Sequence, residues 1–219
     1  GLELAARTAE VVFTAQQTLG TAQDFYRSLK GRLAAFGRRP EDLAIMPGFL
    51  PVIGGTEHEA RDKLATLEGW TDFSRALPLL SERLGHDISR YDLDGPLPEL
   101  PASDQLQSRA KLLTDLARRE GLTLRQLAQL VATGRGHHIM CGTPEQIAAR
   151  MEEWFREGGC DGFNVMPPYF PGGLDDFANG VIPILQKRGL YRNDYQGPTL
   201  RDHFGFARPP NMHRSASGA

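Results

Sequence analysis

Two adjacent histidines, His137 and His138, are the side chains in this sequence best suited to proton transfer or hydrogen bonding. They stand at a short β-prone run, and side chains in a strand alternate between its two faces. At most one of them can therefore point into a site built from that run. Two interpretations stay open for that residue: a structural histidine with satisfied hydrogen bonds, or a pocket residue that hydrogen-bonds a ligand.

Asn164 and Met166 form a second group, at the end of a predicted buried strand over residues 160–166. Asn164 is expected to face away from Phe163 and Val165, and an amide inside a buried strand must find hydrogen-bond partners. It either ties a neighbouring loop or serves a ligand. Ligands bind at the carboxyl ends of parallel strands in α/β folds, so this strand end is a candidate site.

The helix before that strand is predicted from both of its ends. Thr143 is a favourable N-cap, Pro144 suits the first helical position, and Gln146 can complete a capping box. An apolar stripe at helical spacing follows, and a glycine pair ends the helix: Ile147, Met151, Trp154 and Phe155, then Gly158 and Gly159. Residues 135–168 therefore form one α/β unit.

The amino-terminal part predicts the same alternation. Its elements are a short helix, a strand, a helix and a second strand, over Leu2–Thr8, 9–14, 21–36 and 43–47. Pro47 and Pro51 each remove a ladder donor, so the second strand is expected to give way to an irregular loop after about four residues. Thr56 and Glu59 predict the start of the next helix. This order is typical of an α/β fold with a parallel sheet.

The chain is predicted to consist of four parts. Residues 1–69 and 135–208 contain the α/β units, and 70–134 form a mostly helical insertion that builds either a substrate wall or a packing subdomain. A last helix is predicted over 174–187, where Pro183 kinks it or delays its regular part. An aromatic-rich segment after it is expected to dock on the surface. The polar residues 209–219 are expected to be disordered.

Composition excludes several classes of protein. The 219 residues are 40% hydrophobic and 24% charged, with a net charge of -2, which gives no electrostatic reason to expect nucleic acid or an anionic membrane as partner. Cys141 and Cys160 lack metal-binding spacing and are predicted to be buried free thiols in a cytoplasmic protein. His58 and Glu59 begin like a zinc motif without its second histidine, so no metal is expected.

Several short motifs, in order, resemble the bacterial luciferase-like superfamily of flavin-dependent monooxygenases. The branch they resemble contains nitrilotriacetate monooxygenase component A, pristinamycin synthase and dibenzothiophene-sulfone monooxygenase. The motifs are AEVVFTA at 9–15, DGPLP at 94–98, GH at 136–137, GTPEQ at 142–146, DGFN at 161–164, PGGL at 171–174 and TLRDH at 199–203.

The resemblance implies the carboxyl-terminal portion of a (β/α)8 TIM-type barrel with a helical insertion, in which three of eight strands are present. It implies reduced FMN as a co-substrate, O2, a small organic substrate, a separate NAD(P)H:flavin reductase and a homo-oligomer. His137 corresponds to a catalytic pocket histidine, Asn164 and Met166 to substrate-binding positions, and Gly1 to the last glycine of the FMN phosphate turn. Three barrel strands leave open edges, so the chain alone is expected to be an incomplete, inactive fragment.

Two other functions stay open from the sequence. A deazaflavin-dependent reductase of the same superfamily would transfer hydride without oxygen. A non-catalytic subunit or binding module derived from the barrel would keep the pocket without redox chemistry.

Overall fold

A computed structural model describes residues 1–101, 107–134 and 136–209 of the chain. The disordered tail predicted for 209–219 lies outside these ranges, apart from Pro209. The described residues combine a parallel sheet with helices, which confirms the predicted α/β class.

The sheet has four strands: β1 (Val11–Thr14), β2 (Ala44–Ile53), β3 (His138–Gly142) and β4 (Asn164–Val165). Each of the other strands runs parallel to β2, which makes β2 the centre of the sheet. β1 pairs with the first half of β2, from Val11 opposite Ala44, and β3 pairs with the second half, from His138 opposite Phe49. All carboxyl ends therefore lie at one edge of the sheet.

The expectation that the second strand stops after about four residues is wrong, because β2 is ten residues long and contains both prolines. The amide of Ala44 donates to the carbonyl of Glu10, just before β1, and the amide of Gly54 donates to the carbonyl of Gly142 in β3. The amides of even-numbered residues in β2 therefore point toward β1 and β3. Odd-numbered groups point toward β4: the carbonyl of Phe49 accepts from the Met166 amide. The missing amides of Pro47 and Pro51 lie on that β4 side, where pairing covers only Gly48 and Phe49. The prolines therefore cost the ladder little.

Two further strand predictions need correction. The β-prone run beside the two histidines is a full strand, β3, which the count of three strands omitted. The strand expected over 160–166 is reduced to Asn164–Val165, and most of that segment is half-buried rather than fully buried. The carboxylate of Asp161 accepts from the Ile45 amide at 2.7 Å, so a side chain replaces a ladder partner there.

Ten α-helices are described, together with two short 3₁₀ turns (Leu33–Phe36 and Pro40–Asp42) and a π-helical turn (Phe177–Val181). The α-helices are α1 Leu2–Thr8, α2 Leu19–Lys30, α3 Glu57–Gly69, α4 Phe73–Leu84, α5 Gln107–Glu120, α6 Leu124–Gly134, α7 Pro144–Arg156, α8 Gly172–Asp176, α9 Ile182–Lys187 and α10 Leu200–Phe204. None of the helices in the described ranges has the length and apolar character needed to cross a membrane.

One predicted helix is shorter than expected, and another contains a π-helical turn. The helix expected over 21–36 starts at Leu19, capped by Thr18, and ends at Lys30 before the first 3₁₀ turn. The helix expected over 174–187 consists of α8, the π-helical turn and α9. The π-helical turn ends just before Ile182 and Pro183. Because proline has no amide hydrogen to donate to the helix, an irregularity is predicted near Pro183, and the π-helical turn lies there.

The helices pack in three hydrophobic clusters. One buries Phe49 of β2 against α7 and the π-helical turn, and a second joins α1, α2, β1 and Ile45 of β2. The third consists of residues from α4, α5, α6 and their connections, including Leu80, Leu113 and Leu127. The odd-numbered side chains of β2 thus face the helices, and the even-numbered ones point to the opposite, inner face.

Asp161 ties α2 to the start of β2. Its carboxylate accepts from the Tyr26 hydroxyl at 2.9 Å and pairs at 2.9 Å with Lys30, whose side chain is only 9% exposed. We expect Asp161→Asn to lower the free energy of unfolding by about 2–3 kcal/mol, because it leaves a buried ammonium without its counter-charge. Urea unfolding measures this, with Tyr26→Phe as a control that loses one hydrogen bond and about 1 kcal/mol. Equal losses in both variants would contradict the prediction.

Candidate active site at the carboxyl ends of the strands

Three side chains from different elements converge on Gly48, on the inner face of β2. A Cβ at Gly48 would lie 2.5 Å from Cε2 of Phe13, 2.7 Å from Nδ1 of His137 and 3.0 Å from Sδ of Met166. Real Cβ atoms do not approach other heavy atoms so closely, so only glycine lets these side chains meet without displacement. Phe13, Gly48, His137 and Met166 are called the Gly48 cluster below.

His137 is the polar side chain of this cluster, and it is buried, with 5% of its surface exposed. Its ring stacks on Phe13 with centroids 5.0 Å apart and an interplanar angle of 5°. The turn before it is fixed, because the Gln17 side chain donates to the Gly136 carbonyl at 2.7 Å, and Gly136 has a φ of +83° that favours glycine. Burial, stacking and this turn hold the imidazole in one orientation on the inner face.

The predicted substrate residues lie at the same strand ends. Met166 follows β4 directly and contributes its sulfur to the Gly48 cluster. Asn164 is in register with Gly48, and its side-chain amide donates to the Met46 carbonyl at 3.4 Å, which is a long hydrogen bond. Of the two roles left open for Asn164, this contact matches a tie to a neighbouring segment.

His138 belongs to the opposite face of β3. Its ring stacks on Trp154 of α7, with centroids 5.4 Å apart and an interplanar angle of 18°. Burial, and to a smaller extent the charge of Arg150, together lower the pKa of His138 to about 4. The imidazole is therefore neutral at pH 7 and packs against the helix, so the strand register separates the two histidines.

This pKa predicts acid sensitivity. The unfolded chain binds a proton at His138 near pH 6.5, and the folded chain does so only near pH 4. The contribution of neutral His138 to stability is therefore complete above pH 6.5 and declines as the pH falls toward 4, by up to about 3 kcal/mol. Urea unfolding of the wild type and of His138→Phe, which keeps the aromatic stack, should diverge over this range. Parallel pH curves for the two proteins would refute the assignment.

Gly1, predicted to contact the cofactor, is not brought to the Gly48 cluster by any described contact. It is exposed at the N-cap of α1, where its carbonyl accepts from the Ala5 amide at 2.9 Å. A Cβ at Gly1 would meet nothing within 4 Å.

Sequence reasoning missed Phe13 and Gly48 as site residues. Phe13 stands inside the AEVVFTA motif, and its alternation with Val12 places it on the inner face, where its side chain is 55% exposed. Gly48 between Pro47 and Phe49 carried a usable signal, since an isolated glycine in a strand often marks a close approach.

A cavity of about 1080 Å³ adjoins the two histidines. Its walls include Leu116, Leu122 and Leu130 from the region of α5 and α6, facing β3 and α7. Both cysteines are free thiols; Cys160 is buried and Cys141, half-buried, lines this cavity. Within the described ranges, no group of three or more His, Cys, Asp or Glu side chains could hold a metal ion. The cavity includes His138 and Trp154 on the α7 side, and His137 is the one member of the Gly48 cluster that lines it.

Comparison with known proteins decides the family. The model of the luciferase-like monooxygenase family matches residues 1–162, which include β1, β2, β3 and the helices between them. The chain belongs to this family. The family predicted from the sequence motifs is thereby confirmed.

Two curated luciferase-like relatives are equally similar to the chain. N-acetyl-S-(2-succino)cysteine monooxygenase of Bacillus subtilis (strain 168) is 50% identical over 97% of this chain and 49% of its own length. Nitrilotriacetate monooxygenase component A of Aminobacter aminovorans is 50% identical over 96% of this chain and 47% of its own length. The chain thus spans about half the length of the curated relatives it matches.

The fold agrees with that of a solved structure. The structure of riboflavin lyase with modified FMN and substrate riboflavin matches with a TM-score of 0.75 and 28% identity. The match covers 93% of this chain and 44% of that chain. The α/β fold predicted from the sequence is therefore that of luciferase-like proteins over this length.

Proposed function

We propose that the protein is a flavin-dependent monooxygenase that uses reduced FMN and O2 to oxygenate a small organic substrate. The observation that carries the proposal is the Gly48 cluster: an imidazole, a thioether and an aromatic ring meet at the carboxyl ends of the strands in a luciferase-like chain. Parallel-strand carboxyl ends are where ligands bind in such folds.

The inner face of this chain fits a flavin ring. Val11 and Phe13 are 39% and 55% exposed there, so an apolar strand surface stands open beside His137. A planar, largely apolar ring with polar edges needs such a wall and a few hydrogen-bonding groups next to it. Val11 and Phe13 would supply the wall, and His137 the polar group. Gly1 at the N-cap of α1 is the proposed cofactor-binding residue.

Reduced FMN, when bound, supplies the two electrons that activate O2. The side chains of this chain would orient the reactants and exclude water from them. His137, fixed by its stack on Phe13, would hydrogen-bond the substrate and hold or move a proton at an imidazole nitrogen. Met166 and Asn164 would define the substrate side of the pocket.

We further propose that residues 70–134 act as an insertion that walls the substrate pocket. The cavity that adjoins His137 is lined on one side by Leu116, Leu122 and Leu130, which belong to this segment. A helical layer here would keep water from the reactants.

The relatives suggest the substrate class and partners. Both relatives at 50% identity are named for small carboxylate-bearing molecules, so compounds of that class are the substrates to test first. A separate NAD(P)H:flavin reductase would supply the reduced FMN, and the protein would act as a homo-oligomer. The free thiols of Cys141 and Cys160 support a cytoplasmic location, where thiols stay reduced.

The proposal is tested on the full-length protein by anaerobic titration with reduced FMN, followed by oxygen-uptake measurements. Nitrilotriacetate and N-acetyl-S-(2-succino)cysteine serve as probe substrates, with product analysis by mass spectrometry. We expect saturable binding of reduced FMN and incorporation of one oxygen atom from O2 into a probe or a close analogue. A full-length protein that does not bind reduced FMN would show that the proposal is wrong.

A further inference from the structure

The segment after β4, residues 166–171, carries Met166 into the Gly48 cluster. Its first amide is anchored, since Met166 donates to the Phe49 carbonyl at 2.9 Å. Beyond that bond the segment contains three prolines and Phe170, whose surface is 70% exposed. Something other than strand pairing must therefore fix its course.

Tyr169 supplies one such anchor by packing on the start of α8. A Cβ at Gly172 would lie 3.1 Å from Cε2 of Tyr169, and one at Gly173 would lie 3.4 Å from Cδ of Pro168 and 3.6 Å from the Tyr169 ring. The glycine pair thus provides a flat seat for the Tyr169 ring. This gives the PGGL motif at 171–174 a physical role.

Lys63 of α3 completes the anchor. Its ammonium donates to the carbonyl of Ile53, the last residue of β2, at 2.8 Å, and to the carboxylate of Asp176 at 3.3 Å. The same carboxylate oxygen of Asp176 accepts from the Tyr169 hydroxyl at 3.4 Å. Glu59, one helical turn before Lys63, pairs with the ammonium at 3.2 Å. One cation therefore links the carboxyl end of β2, through Asp176, to the segment after β4.

We propose that Lys63 is a positioning residue for the substrate side of the site, acting through Asp176 and Tyr169 on Met166. Its side chain is 32% exposed and that of Asp176 is 36% exposed, so water reaches the ion pair. Substitutions at Lys63 can therefore weaken the link without burying an unpaired charge. The expected effect on KM rests on the proposed function. The mechanical link from Lys63 to residues 166–171 does not depend on that function.

The test compares Lys63→Met, Lys63→Arg and Tyr169→Phe in the full-length protein. Lys187→Met on the exposed side of α9 is the matched control for loss of a lysine charge. Amide hydrogen exchange is followed at Val165, Met166, Tyr169 and Phe170, alongside KM and kcat for N-acetyl-S-(2-succino)cysteine and the dissociation constant of FMN. We expect Lys63→Met to speed exchange at these amides about fivefold and to raise KM by a similar factor, with kcat and FMN binding nearly unchanged.

Each outcome bears on the inference. Recovery of slow exchange in Lys63→Arg, and a smaller effect in Tyr169→Phe, support the link. Unchanged exchange at these amides in Lys63→Met overturns it, whatever the catalytic result, and so does an equal change in Lys187→Met. If the wild type does not bind reduced FMN while the exchange pattern follows the expectation, the proposed function is wrong and the mechanical link stands.

Discussion

Gly48→Ala in the full-length protein is expected to lower kcat/KM by about 10- to 100-fold, although it adds a single methyl group. The new Cβ would lie 2.5 Å from Phe13, 2.7 Å from His137 and 3.0 Å from Met166, so all three side chains must move. Phe13 can swing toward open space, because it is 55% exposed, but His137 is only 5% exposed and has little room. Displacement by about 1 Å of an orienting group is enough for such a loss.

Stability and activity should respond differently to this substitution. Crowding a packed site costs about 1–3 kcal/mol, so urea unfolding should show a moderate loss while the protein still folds. Gly20→Ala in α2 is the matched control: nothing lies within 4 Å of its Cβ, and it should raise the free energy of unfolding by about 0.5–1 kcal/mol. Wild-type turnover in Gly48→Ala would show that the Gly48 cluster is not the active site.

Local signals predicted local structure well. The Thr143 hydroxyl accepts from the Gln146 amide at 3.4 Å, and the Gln146 side chain accepts from the Thr143 amide at 2.9 Å, as the capping box predicts. Such a cap depends on four consecutive residues and needs no knowledge of the rest of the chain. The start of α3 at Thr56 was predictable for the same reason.

Features set by distant neighbours were harder to predict. Whether Pro47 and Pro51 end a strand depends on which side of β2 their missing amides face. That side is fixed by pairing with β1, β3 and β4, and β4 lies more than a hundred residues away. The short β4 depends on Asp161 reaching the Ile45 amide across 116 residues. The role of Gly48 depends on three side chains from β1, the turn before β3 and the segment after β4. No local pattern records these contacts.

The choice between the two histidines shows the same division. The alternation of strand side chains predicted that at most one could enter a site, which is a local property. Which one enters is decided by the register of Phe49 opposite His138, since this places His138 beside Trp154 and leaves His137 at the turn above Phe13. The sequence favoured His137 only through its resemblance to a family.

His137→Ala in the full-length protein is therefore expected to lower kcat by about 100-fold or more, the effect typical of removing a positioned proton-transfer group. The same substitution removes a ring that is 5% exposed and stacked on Phe13, so we expect a cost of about 2 kcal/mol in unfolding free energy. His137→Phe separates the two effects, because it keeps an aromatic ring against Phe13 and loses both imidazole nitrogens.

The decisive comparison is with His138→Phe, made at the next residue on the opposite face. That variant keeps the stack on Trp154 and leaves the Gly48 cluster intact, so its kcat should equal that of the wild type at pH 7, where His138 is already neutral. Low kcat in His137→Phe with wild-type kcat in His138→Phe assigns the chemistry to the inner face. Equal losses in both variants would indicate that the histidines act through packing of β3, and wild-type kcat in His137→Phe would remove the imidazole from the reaction.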